Sequence, residues 1–340
     1  MKRANFYIIV FTSILITTLF NCNDGDDDPN NNNQVNECQS CSIECPDLCV
    51  KGFQSNLMIT VDNTSRYYDV FLPSSHTISS SNHPVIIDLH GALSTKEDQR
   101  LFSSFEEIAE TNDAIVVWPQ ALNITTCLNS GNRWNANVTN QPDDVSFIDN
   151  LIDQIIIDYK VDPNRIYVSG LSNGGYLAYN LACALSDKIA AIASVAGTMN
   201  EDLMNNYCNP SRAVPIIQIH GTADQIISYT GFNSCEGHQA SVEELVSFWR
   251  AKANCSSSYT EDILEDLDTN DNSSVKVHSY EDCSTGAIFK LVIIEGGGHI
   301  WPGSETFRDY YADYAHLLFP MNFDIDASEI IWEFFSDYSL

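Results

Sequence analysis

Ser172 stands between glycines in Gly170-Leu171-Ser172-Asn173-Gly174-Gly175. The run Arg165–Ser169 ahead of it reads as a strand, and Tyr176–Leu185 after it as an apolar helix. A serine on a tight strand-to-helix turn is the setting of a nucleophile elbow. Side chains at 170 or 174 would clash there, and the strained turn lifts the hydroxyl above the sheet. A neutral serine is a weak nucleophile and needs a base held by an acid. In sites of this kind the chain order is Ser, then Asp or Glu, then His. Asp224 ends His220-Gly221-Thr222-Ala223-Asp224, just past the apolar run 214–219. His299 ends Gly296-Gly297-Gly298-His299, just past the run 289–295. Both fall in loops at the carboxyl ends of strands, where open α/β sheets carry their chemistry.

Elimination among the eight histidines supports His299. His90 and His220 precede glycines at strand ends and read as structural. His76, His83, His238, His278 and His316 lack a strand followed by a glycine loop. An oxyanion would need two backbone N–H donors. Asn173, after the serine, supplies one, and Ala92, in the loop His90-Gly91-Ala92, is expected to supply the other.

The elements that must position these residues alternate. Candidate strands are 57–61, 67–72, 84–89, 114–118, 165–169, 190–196, 214–219 and 289–295. Several are continuous apolar runs, as strands buried on both faces require. Helical patterns fall near 144–160, 174–186, 241–253 and 327–337. The implied fold class is α/β, a mostly parallel central sheet with helices on both faces. The two opening strands read as an antiparallel hairpin. The acidic stretch 261–274 reads as a surface excursion.

Charge and cysteines bound the setting. The 340 residues carry 46 Asp+Glu against 16 Lys+Arg, a formal net charge of −30. Such a surface repels phosphates, which excludes nucleic acid as a partner and disfavours anionic lipid. Lys2 and Arg3 followed by the apolar run Phe6–Phe20 read as a secretory signal over residues 1–21. Leu19-Phe20-Asn21-Cys22 resembles a lipoprotein processing box, with Cys22 as the lipidation residue. Membrane association is expected only through that anchor. Residues 22–36 form an acidic linker; its Asp24–Asp28 run lacks the further ligands of a calcium loop. A small Cys-rich segment spans 37–54, and the catalytic domain 55–340. Cys38, Cys41, Cys45 and Cys49 fit disulfides or a zinc site. Disulfides are favoured, since no histidine is near and exported chains are oxidised. Cys255 and Cys283 are expected to pair across an acidic stretch. The remaining connectivity is open.

The chain resembles the secreted esterases that include poly(3-hydroxybutyrate) depolymerases and feruloyl and acetylxylan esterases, within the α/β-hydrolase fold. The resemblance rests on LHGALS at 89–94, VVWPQ at 116–120, DDVSFIDNLID at 143–153 and VDPNRIYVSGLSNGGYLAYNLAC at 161–183. IHGTAD at 219–224, GGGHIWPG at 296–303 and DASEIIWEFF at 326–335 complete it. It implies Ser172, Asp224 and His299 as a triad, and Trp134 and Trp301 as walls of the substrate cleft. It implies a serine esterase acting through an acyl-enzyme, without metal or organic cofactor. The implied substrates are feruloyl or acetyl esters of plant polysaccharide, with a hydroxyalkanoate polyester as the alternative. Two departures count against the polyester. Ala92 stands where depolymerases often carry Cys, and no separate polymer-binding domain is visible. A surface-binding lipoprotein on an inactive hydrolase scaffold is the alternative of a different class.

Overall fold

Residues 51–76, 83–136, 142–314 and 320–340 are described in a computed structural model. The signal, Cys22, the linker and the four-cysteine cluster lie outside the described residues.

Alternation along β3 (His83–Leu89) shows how the sheet divides the interior. Val85, Ile87 and Leu89 enter one apolar cluster, while Ile86 enters the other. β4 (Ile115–Pro119) repeats this, with Ile115 and Val117 on one side and Val116 and Trp118 on the other. Both faces are covered, so these strands are apolar throughout.

The sheet has ten strands. The others are β1 (Gly52–Val61), β2 (Thr64–Leu72), β7 (Val161–Leu171), β8 (Ala191–Val195), β9 (Ile216–Gly221), β12 (Thr260–Ile263), β13 (Ser274–Tyr280) and β14 (Phe289–Glu295). The order is β1-β2-β4-β3-β7-β8-β9-β14-β13-β12. The stretch from β4 to β14 is parallel throughout. Antiparallel strands finish both edges. Because β7, β8, β9 and β14 run the same way, their carboxyl ends share one edge of the sheet.

Helices α3 (Asp144–Tyr159), α4 (Asn173–Ala184) and α5 (Val242–Ala253) pack on one face, through Phe147, Leu151, Leu177, Leu181 and Trp249. Helices α1 (Lys96–Ser103), α2 (Phe105–Thr111), α6 (Glu305–Tyr310) and α7 (Ala327–Ser336) pack on the other, through Phe102, Phe105, Phe307 and Phe334. Caps set the starts. Thr95 and Asp98 close a capping box on α1, and Ser241 and Glu244 close one on α5.

The expected strands and helices are present, with β1 beginning earlier, at Gly52. Two expectations change. Thr260–Ile263 is an exposed edge strand and β13 begins at Ser274, so the 261–274 excursion is trimmed at both ends by the sheet. Helices α1, α2 and α6 are additions. Among the described residues, three disulfides occur: Cys127–Cys235, Cys183–Cys208 and the expected Cys255–Cys283.

Candidate active site

Ser172 bridges the end of β7 and the start of α4. Its φ of 53° and ψ of −116° lie where residues with a side chain are rarely found. Its N–H donates to Val195 O at 2.8 Å, and its carbonyl accepts from Tyr176 N at 3.1 Å. The flanking glycines let the turn close. A Cβ on Gly170 would stand 2.4 Å from the Gly174 carbonyl carbon, and one on Gly174 would stand 2.2 Å from Leu89 O.

Asp224 follows β9 and His299 follows β14, at the same edge as Ser172. His299 Nδ1 donates to Asp224 Oδ2 at 2.8 Å. Asp224 Oδ1 accepts from the amides of Ile226 and Ile227, each at 2.8 Å. His220 Nε2 lies 3.4 Å from Asp224 Oδ2 and bonds to Ile227 O at 2.8 Å. Burial alone would raise the Asp224 carboxyl. The imidazoles of His299 and His220 outweigh it and hold that carboxyl well below its usual range. Asp224 is therefore an anion at neutral pH, and it fixes the ring of His299 with Nδ1 as donor and Nε2 free of that bond.

The loop after β3 is locked with equal care. His90 Nε2 accepts from the Ala121 N–H at 3.1 Å, so the proton sits on Nδ1, which donates to Gly91 O at 2.7 Å. Burial lowers the His90 pKa to about 4, which keeps the ring neutral. Trp134 Nε1 donates to His90 O at 2.9 Å. The Asn173 side chain pairs with the Trp134 backbone, accepting from its N–H at 2.7 Å and donating to its carbonyl at 3.1 Å. Trp134 thus ties the loop carrying Ala92 to the turn carrying Asn173. Asn173 opens α4, so its amide is among those a helix leaves without an internal partner. Asp144 anchors the Trp134 loop from below, accepting from Asn135 N at 2.7 Å and from Arg66 at 2.6 Å.

A cavity of about 300 Å³ opens over Ser172, bordered by Ala92, Asn173 and Trp134. The two tryptophans differ in placement. Trp134 borders the cavity but is 1% exposed, and stacks on Phe147. Trp301 is not among the bordering residues. It meets Phe105 edge-on and donates to Ser328 Oγ at 3.1 Å, inside the core beneath α7. Expected as a cleft wall, Trp301 is a core residue, because the turn it opens directs it toward α7.

The cavity's roof was not read from the sequence. It comes from the hairpin β5–β6 (Asn123–Thr125, Ser130–Asn132) and the hairpin β10–β11 (Phe232–Ser234, Gly237–Gln239). Cys127–Cys235 joins the hairpins, and Arg133 pairs with Glu236 at 2.9 Å. Tyr176, one turn into α4, also borders the cavity. The two cysteines were the available signal; nothing local says that they pair.

A mostly parallel sheet covered on both faces, with a serine elbow and an Asp–His pair at one carboxyl edge, defines an α/β-hydrolase. Residues 76–265, more than half of the chain, match the phospholipase/carboxylesterase family model, and the chain belongs to that family. It is 26% identical over 243 residues to a bifunctional acetylxylan esterase/xylanase of Neocallimastix patriciarum, covering 71% of this chain and 32% of that protein. It is 28% identical over 218 residues to feruloyl esterase B of Piromyces equi, covering 64% of this chain and 39% of that protein. The chain thus spans only about a third to two fifths of the length of these two relatives. An acetyl xylan esterase structure from Aspergillus awamori matches with a TM-score of 0.54 at 14% identity, over 78% of this chain and 98% of the other, and supports the fold.

Proposed function

We propose that the chain is an exported serine ester hydrolase acting on feruloyl or acetyl esters of plant polysaccharide. The observation that carries this reading is a strained serine elbow at the same sheet edge as a buried Asp–His pair. Ser172 Oγ attacks the ester carbonyl, and His299 Nε2 takes its proton. Asp224 stabilises the imidazolium that forms. The amides of Ala92 and Asn173 receive the oxyanion, each worth about 3 kcal/mol of transition-state stabilisation. The His299 proton passes to the departing alcohol, leaving an acyl-enzyme on Ser172. Water, losing its proton to His299, then releases the acid and restores the serine.

Export is supported by the three disulfides, which persist in oxidising compartments. No helix among the described residues is long and apolar enough to cross a membrane. Attachment through a lipid on Cys22 is part of the proposal and is checked by mass spectrometry of the processed chain. The hydrolase reading is tested with a short-chain nitrophenyl ester and methyl ferulate, for the wild type and Ser172→Ala. Turnover of both, lost in the variant, supports the proposal. Turnover of the nitrophenyl ester alone moves the substrate toward acetyl or polyester groups. No turnover of either overturns the catalytic reading.

A further inference from the structure

We propose that Tyr176 is a specificity residue that reads an oxygen on the acyl group, beyond the ester itself. This rests on the ester-hydrolase reading and deepens it. The polar wall of the cavity is otherwise engaged within the protein. Arg133 is held by Glu236, and Asn200 Nδ2 donates to Glu236 O at 2.7 Å. Gln239 Nε2 donates to Gly237 O at 3.2 Å and to Ser234 Oγ at 3.3 Å. Apart from the nucleophile itself, the Tyr176 hydroxyl is the exception: it is buried and has no partner among the described residues. Buried polar groups are nearly always hydrogen-bonded, so this one needs an explanation.

Its position supplies one. Ser172 caps α4 and its carbonyl accepts from Tyr176 N at 3.1 Å, so the two residues stand one turn apart at the head of the helix. The Tyr176 side chain borders the same cavity as the nucleophile. Burial, with the charges of Asp224 and Glu236, pushes its pKa up, so it stays a neutral O–H able to donate or accept. An acyl group held on Ser172 would lie in the cavity that Tyr176 borders. An acetyl group has no further oxygen to offer it. A cavity of about 300 Å³ with apolar walls from Ile124, Leu128 and Phe232 has room for a larger group. A hydroxylated aryl-propenoyl acyl group matches both features. Its ring lies against the apolar walls and its phenolic oxygen bonds to Tyr176.

The test compares kcat/KM for methyl 4-hydroxycinnamate against methyl cinnamate, which differ by one hydroxyl, in the wild type and Tyr176→Phe. The wild type is expected to prefer the hydroxylated ester about tenfold, through KM, and the variant to lose that preference. A parallel pair, methyl 3-hydroxybutyrate and methyl butyrate, separates acyl classes. Preference confined to the butyrate pair and lost in the variant supports Tyr176 as the reader and makes the acyl group a hydroxyalkanoate. Should Tyr176→Phe fail to fold, the wild type still decides: turnover without preference in either pair overturns the assignment. A preference that survives in the folded variant overturns it too. Absence of turnover on every ester overturns the hydrolase reading instead.

Discussion

The floor and the roof of the cavity are built by different means. The floor is the carboxyl edge of the parallel sheet, where Ser172 borders the cavity and Asp224 and His299 stand on neighbouring strand ends, fixed by ladders and by two apolar clusters. The roof is two short hairpins from distant parts of the chain, with the Cys127–Cys235 bond and the Arg133–Glu236 pair among the links between them. A floor of this kind fixes reactivity to fractions of an ångström. A roof of this kind can change its lining without disturbing the sheet. Substitutions in the floor should therefore act on kcat, and those in the roof on KM.

The largest expected effect is in the floor. Ser172→Ala should lower kcat by about 10⁶-fold, by analogy with other serine hydrolases, while leaving the unfolding temperature close to that of the wild type. A residual activity near the wild-type level would remove Ser172 from the chemistry. Next comes the roof. Replacing both Cys127 and Cys235 with Ser releases a cross-link over a sequence separation of 108 residues. The expected cost is about 2–4 kcal/mol of stability, read by denaturant unfolding. At temperatures where the variant is folded, KM should rise more than kcat falls. If kcat falls more, the roof shapes the floor and the division fails.

Trp134 lies where the two regions meet. Trp134→Phe keeps the stacking on Phe147 and deletes the indole N–H that holds His90 O. Freed, the His90–Ala92 loop presents its amide less well, and kcat should drop by about tenfold, the worth of one hydrogen bond. An unchanged kcat with a raised KM would make Trp134 a wall of the cavity and no support of the proposed oxyanion donors.

Those same two regions explain what was legible in the sequence. Strands such as PVIIDL and FKLVIIE announce themselves because burial on both faces leaves no polar alternation. The places of Ser172, Asp224 and His299 at one sheet edge could be read because each follows such a strand within a glycine-bearing loop. Helices α1, α2 and α6 were missed because they are short and highly charged, with Lys96-Glu97-Asp98 opening the first, Glu106-Glu107 in the second and Glu305, Arg308 and Asp309 in the third. The Thr95–Asp98 capping box was a local mark of the first. The roof has no local mark at all, since it depends on a pairing between cysteines far apart in sequence. Trp301 was misplaced for a related reason. Proximity to His299 along the chain says nothing about which way a side chain turns, and the bond to Ser328 on α7 decides that.

The smallest effect tests the support beneath the floor. Asp88 lies on β3, two residues before His90, and is fully buried. Burial pushes its pKa up to about 7, although Gln99 Nε2 and Trp118 Nε1 both donate to it. The sign follows from linkage: an acid held above its unfolded value stabilises the fold while protonated. That contribution is fully present below about pH 4 and is lost as pH rises through about 7. Asp224 works the opposite way. Its contribution is present above the ordinary carboxylate value of about 3.9 and is lost only in stronger acid, so the two windows do not overlap. Asp88→Asn removes the titration and keeps one side-chain oxygen to accept from Gln99 Nε2 or Trp118 Nε1. From pH 4.5 to 8 the wild-type unfolding temperature should therefore fall by a few degrees more than the variant's. Equal slopes would mean that Asp88 is ionised across the whole range, held by the Gln99 and Trp118 donors against the cost of burial.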